Sequence, residues 1–154
     1  MTLIEKFPLE KKKITKKTID ISISTLFIGV FLLSWMTLTS IMSFLTIALA
    51  SIIFLPIIIY FYQKKYYQSY FYDDLGKNLI IRKGVFSIEE ITLPYSKIQD
   101  VYVDQDLFDR LFSLYDVHVS SATMASARLS HIDGVSKKSA DELRELFLNK
   151  IHAK

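Results

Sequence analysis

The chain has 154 residues, a formal charge of +3, 51% hydrophobic and 23% charged residues, and no cysteine. That length leaves room for one modest domain and little more, and the lack of thiols excludes disulfides and thiolate metal sites. The averages hide a sharp division, because no Asp, Glu, Lys, Arg or His occurs between Asp20 and Lys64, whereas elements wetted on one face carry charge there.

Residues 1–20 read as a basic cytoplasmic arm, with Lys6, Lys11, Lys12, Lys13, Lys16 and Lys17 set against Glu5, Glu10 and Asp20. Lys64 and Lys65 follow the apolar stretch, and from Tyr66 onward acids slightly outnumber bases. The basic character is therefore confined to the flanks of the apolar stretch, which argues against nucleic acid as a partner of the remainder.

Residues 21–63 are long enough for two crossings of a hydrocarbon core at roughly 20 residues each. The expectation is a transmembrane α-hairpin, with helices over about 21–37 and 42–61 and a turn near Leu38, Thr39 and Ser40. A cleaved signal peptide fits poorly, since a second and stronger apolar span follows at once. Lysines on both outer flanks and none in the turn predict a multi-pass protein of the cell membrane with both termini cytoplasmic. On this reading Lys11, Lys12, Lys13, Lys16, Lys17, Lys64 and Lys65 lie at the membrane surface, and the lipid bilayer is a partner. Trp35 falls near the opposite face, and Pro56 kinks the second helix. Thr25 and Gly29 form a small-xxx-small pair that can admit a close neighbour. With no ionisable residue in the spans, a proton relay or ion pathway has nothing to run on.

Residues 64–154 change to short β-type segments divided by turns. Strands are expected at 66–72, 78–82, 85–93, 98–104, 115–121 and 128–132, with turns at Asp73–Lys77 and Lys83–Gly84, a break at Pro94–Ser96 and a loop at 122–126. Asp106–Phe112 reads as a short helix turning Leu107, Leu111 and Phe112 inward. Ser139-Ala140-Asp141-Glu142 matches a capping box, opening a helix whose apolar stripe is Ala140, Leu143, Leu146, Phe147 and Ile151.

The run Gly84-Val85-Phe86, the block from Leu93-Pro94-Tyr95-Ser96 to Val101, and Gln105-Asp106-Leu107-Phe108-Asp109-Arg110-Leu111-Phe112 carry a resemblance. Together they resemble the bacterial pleckstrin-homology (PH) domain family of the YdbS-like membrane proteins, most specifically from Pro94 to Arg110. The resemblance extends over nearly the whole chain, departing at Ser113, where the family often has glycine. It implies a PH-like, mainly-β (α+β) barrel of about six or seven antiparallel strands capped by a C-terminal helix, behind the two-helix membrane hairpin.

The residues that could carry chemistry do not assemble into a motif. His118 and His131 could lie on neighbouring strands, but no closely spaced His/carboxylate motif supports a metal. Asp100, Asp104, Asp106 and Asp109 lack the glycine and closing glutamate of a calcium loop. No serine sits in a nucleophile elbow, and no glycine-rich phosphate loop is present. The expectation is a non-enzymatic protein with no catalytic residues, no cofactor and no metal. In eukaryotic PH domains the first hairpin loop holds the inositide head group; here it carries Asp73 and Asp74 against Lys77, which argues against specific phosphoinositide binding. The expected function is a membrane-anchored interaction or scaffolding module for protein partners or a homo-oligomer, with Tyr95, Tyr102 and Phe108 as contacts. The alternative is sensing of anionic lipid or a membrane surface through the basic residues flanking the apolar stretch.

Overall fold

The computed structural model describes residues 2–35, 41–121 and 130–152. In chain order it contains α1 (Leu3–Lys6), α2 (Lys12–Trp35), α3 (Ile41–Ser69), β1 (Phe71–Asp74), β2 (Asn78–Lys83), β3 (Glu89–Pro94), a 3-10 turn (Tyr95–Lys97), β4 (Ile98–Asp104), α4 (Leu107–Phe112), β5 (Tyr115–Ser121), β6 (His131–Val135) and α5 (Lys137–His152). The predicted turn at 38–40, the loop at 122–126 and the start of the last predicted strand lie outside the described residues, as does the side chain of Trp35.

The strands form two three-stranded antiparallel sheets, ordered β1-β2-β3 and β4-β5-β6. The expected barrel is thus corrected: among the described residues β3 and β4 are not paired but are parted at the Pro94 turn, since proline has no amide to donate to a ladder. Period-two alternation places Leu79 and Ile81 of β2, and Val117 and Val119 of β5, in the core between the sheets. α5 packs against β4, β5 and the 3-10 turn, burying Ala140, Leu143 and Phe147. Each large apolar residue buried this way contributes about 1.5–3 kcal/mol. The α5 cap lies one turn earlier than expected: the Ser139 amide donates to Ser136 Oγ at 3.2 Å, and Ser139 itself lies within the helix.

The largest departure concerns the helices. Among the described residues no helix is long and apolar enough to cross a membrane. The two-span hairpin does not stand, nor do the multi-pass cell-membrane localisation and the cytoplasmic termini derived from it. The lysines expected as flanks outside the helices are not there. Instead Lys12, Lys13, Lys16 and Lys17 are within α2, and Lys64 and Lys65 are within α3. α3 also continues to Ser69, so the strand expected from Tyr66 begins only at Phe71. Helical propagation adds one hydrogen bond per residue and carries α3 through its aromatic end. There Tyr66 and Tyr67 pack on the core.

The arm is likewise part of the domain. Leu3, Phe7 and Leu9 are core residues. The Leu3 amide donates to Asp73 Oδ1 at 2.9 Å, Tyr72 Oη donates to the Phe7 carbonyl, and Tyr67 Oη donates to the Leu9 carbonyl at 2.7 Å.

Candidate functional site

The opening turns of α2 lie across β6 and α4, and their lysines divide into two sets. Lys13 and Lys16 point inward and are only 3% and 1% exposed. Lys11, Lys12, Lys64 and Lys65 face outward, with Lys17 half-buried.

Lys16 inserts between two carboxylates of α4, reaching Asp106 Oδ2 at 2.7 Å and Asp109 Oδ1 at 2.8 Å. The same aspartates form a reciprocal capping box: the Asp109 amide donates to Asp106 Oδ1 at 2.7 Å, and the Asp106 amide to Asp109 Oδ2 at 3.3 Å. Burial works against the Lys16 charge, yet the two carboxylates outweigh it and hold the ammonium above its usual range. Asp106 is held low, with Lys16 and the Asp109 amide overcoming the burial cost.

Lys13 crosses Gly134. Its Nζ donates to the Asp133 carbonyl at 3.0 Å and lies 3.4 Å from Asp133 Oδ2. It also sits over the Tyr70 ring, 4.2 Å from the centroid. Here burial wins, and the Lys13 ammonium is pulled below its usual range against the opposing pull of Asp133 and Asp116.

Beside this pair Lys83 of β2 approaches both ring nitrogens of His131, at 3.2 and 3.3 Å. His131 Nε2 lies 3.0 Å from Asp133 Oδ1. The Asp133 contact lacks hydrogen-bond geometry, and the arrangement fits a neutral imidazole that accepts from Lys83. Burial lowers Lys83 to about 8 and His131 to about 4, the latter with help from Lys83, His118 and Lys13. An ordinary histidine titrates near 6.5. Between about 4 and 6.5 the unfolded chain binds the extra proton, so the His131 contribution to stability is lost as pH falls through that window. Asp116, raised to about 6 by burial and by Asp133, acts in the opposite sense above its unfolded value. An NMR titration of the imidazole carbons is expected to give a His131 midpoint near 4. A midpoint near the ordinary value would contradict this placement.

His118 and His131 are directly opposed between β5 and β6, their rings stacked with centroids 5.4 Å apart. They turn to different carboxylates, His118 Nε2 lying 3.2 Å from Asp104 Oδ1. Among the described residues the group with metal-ligand spacing is Asp104, Asp116 and His118, with ligand atoms within 4.8 Å of one another. Asp116 Oδ1 already accepts from the Gly134 amide at 2.7 Å.

The expected contact residues are scattered. Tyr95 is buried against Phe147, Tyr102 is exposed but stacked on His118, and Phe108 is half-buried. The carboxylates of the first hairpin loop are engaged, Asp73 by the Leu3 amide and Asp74 by Lys150 at 2.8 Å.

The outward lysines converge more closely. Lys11 and Lys12 of the α2 entrance and Lys64 of α3 line one groove of about 580 Å³, together with Ile14, Thr15, Tyr60, Tyr67 and Gln68. Sequence reasoning had these lysines but not their sorting, and it missed the inward pairs altogether. The i, i+3 spacing of Asp106 and Asp109 lets both carboxylates meet Lys16, but that acquires meaning only once α2 and α4 are known to touch.

Two small antiparallel sheets closed by a C-terminal helix, with buried charges docking α2 onto α4 and β6, define a small α+β domain. The family model for the bacterial PH domain matches residues 18–151, and the chain belongs to that family. The match takes in the uncharged stretch as well as the sheets. No curated protein and no solved structure matches the chain. PH domains are in general non-catalytic interaction modules.

Proposed function

We propose that this protein is a non-enzymatic docking module that assembles with a second copy of itself through the apolar faces of α2 and α3. The observation that carries the reading is the exposure of Phe27 and Phe31 on α2, at 75% and 70%, with Ile52, Ile53, Phe54, Ile57 and Ile58 exposed on α3. At 100° per residue those α3 positions sweep much more of the helix than the single stripe a helix turns toward its own domain. An apolar surface of this breadth calls for a cover. A second copy supplies an identical surface, and two-fold pairing of two hairpins gives a four-helix arrangement. Gly29 is consistent with this, because a Cβ placed there meets nothing within 4 Å and the position is not used in packing against α3. Placement in the YdbS-like subgroup belongs to the same reading and is supported by the block from Pro94 to Arg110.

The test is cross-linking and light scattering of the full chain in mild detergent, with Phe27→Ser/Phe31→Ser as the comparison. A dimer or higher species that the double variant weakens is the expected result. A strictly monomeric protein at micromolar concentration would sink the proposal. A second reading, recognition of anionic groups by the basic residues flanking the apolar stretch, is favoured by the lysine-lined groove.

A further inference from the structure

We propose that the groove between the entrance of α2 and the last turns of α3 binds a phosphate-bearing anion. This inference rests on the second reading above and names its site and ligand class. Lys11, just before α2, and Lys12, its first residue, reach the groove from one side and Lys64 of α3 from the other. All three are exposed, and among the described residues none has a carboxylate within ion-pair distance. No acidic side chain lines the groove. Glu10 stands just outside the lining, where its charge adds to burial in raising the Tyr67 hydroxyl, so three ammonium groups face one carboxylate and the local balance stays positive.

On α2 the lysines that point inward are matched by aspartates, Lys13 by Asp133 and Lys16 by Asp106 and Asp109, while the buried Lys83 of β2 sits against His131. Among the described residues the exposed groove lysines have no such partner. Like charges gathered around one concavity repel, and a bound anion relieves that repulsion. The first turn of α2 adds to the effect, because it contains no acid and lysines there oppose the helix dipole.

The rest of the lining narrows the ligand. Thr15, Tyr60 and Gln68 offer neutral hydrogen-bonding groups, while the Tyr67 hydroxyl is spent on the Leu9 carbonyl. Three ammonium groups without a guanidinium fork act as point charges, which suits the dispersed charge of a phosphate better than bidentate carboxylate recognition. Ile14 and the Tyr60 ring make one wall apolar, and Phe61 and Ile57 continue it as exposed surface. That combination suits a phosphate on an amphiphile as well as a free phosphate ester.

The experiment uses the full chain in two arms. One titrates inorganic phosphate by calorimetry. The other floats the protein with phosphatidylcholine vesicles containing graded phosphatidylglycerol, or none. Each arm compares the native chain with Lys11→Ala/Lys12→Ala/Lys64→Ala and with Lys77→Ala/Lys137→Ala/Lys138→Ala, which removes equal charge from exposed positions outside the groove. At about 1 kcal/mol per lysine, the groove variant is expected to lose on the order of a hundredfold in affinity, and the control less than threefold. A loss confined to the vesicle arm identifies a lipid head group, and one confined to the calorimetric arm a free phosphate. Equal losses in both variants, or no dependence on phosphate or phosphatidylglycerol in the native chain, would overturn the proposal. Light scattering of the groove variant, run in parallel, separates this outcome from a failure of self-association.

Discussion

Replacing Lys16 with methionine is expected to destabilise the folded chain by about 3–5 kcal/mol, the range for removing one partner of a buried ion pair. Methionine keeps much of the aliphatic volume, so the loss is electrostatic. Asp109, itself 2% exposed, would be left as an uncompensated buried charge beside an exposed Asp106. Urea denaturation followed by circular dichroism measures the effect as a fall in midpoint with little change in slope. Adding Asp109→Asn is expected to recover a large part of the loss, because the stranded charge is removed while the amide oxygen keeps its capping contact. A Lys16→Met variant as stable as the native chain would show that α2 does not dock through this pair.

The pH dependence of the same contact follows from the direction of its shifts. Lys16 is raised, so its contribution is whole below its ordinary value of 10.5 and is lost as pH rises through the folded value. Asp106 is lowered, so its contribution is whole above its ordinary value of 3.8 and is lost as pH falls through the folded value. Across the neutral range the clamp is fully formed.

Gly134→Ala is expected to cost about 2–5 kcal/mol, from a left-handed backbone of about 1–2 kcal/mol and overpacking of about 1–3 kcal/mol. Gly134 has φ +70°, and a Cβ built there would lie 2.8 Å from Lys13 Cδ and 3.0 Å from Lys13 Cβ. The same residue accepts the Glu10 amide at 2.8 Å and donates to Asp116 Oδ1. It is therefore the point where the α2 entrance meets β6. Thermal unfolding is the measurement. Combining the change with Lys13→Ala should give less than the sum of the two single effects, because both act through the same contact. Strict additivity would remove Lys13 from the explanation.

Several elements are legible in the order of the residues. The turn at Asp73–Lys77, β2, the β4 alternation, the 106–112 helix and β5 carry local signals that short-range physics decides. The face of that helix is not among them: Leu107 and Leu111, expected inward, are exposed, and Asp109 is buried on Lys16 instead. The α4 boundaries are a case in point: its capping box and Ser113 close the two ends of one short segment, and the family's frequent glycine at that position is explained by the left-handed conformation found there, φ 55°. Ser113 takes up a conformation that glycine adopts at lower cost. The α5 stripe is equally plain, although its cap is displaced by one turn from the expected serine because Ser136 and Ser139 offer similar oxygens.

The site is much less legible. Seven lysines flanking an uncharged stretch are equivalent as letters, and hydropathy assigns them one common role at a boundary. Their separation depends on the direction in which α2 faces the sheet. Lys13 and Lys16 are one helical turn apart and meet β6 and α4, whereas Lys11 and Lys12 point away into the groove with Lys64. Nothing within α2 specifies that rotation. It is set by Gly134 and the two α4 carboxylates, some ninety residues or more further along the chain. Charge clustering, strand alternation and the bacterial PH resemblance are thus properties of the sequence alone, because each arises from neighbours in the chain. Which lysines are buried and which strands pair are decided by tertiary contact. A lysine's free energy depends on the dielectric and the counter-charge around it, and both are set by residues distant in sequence.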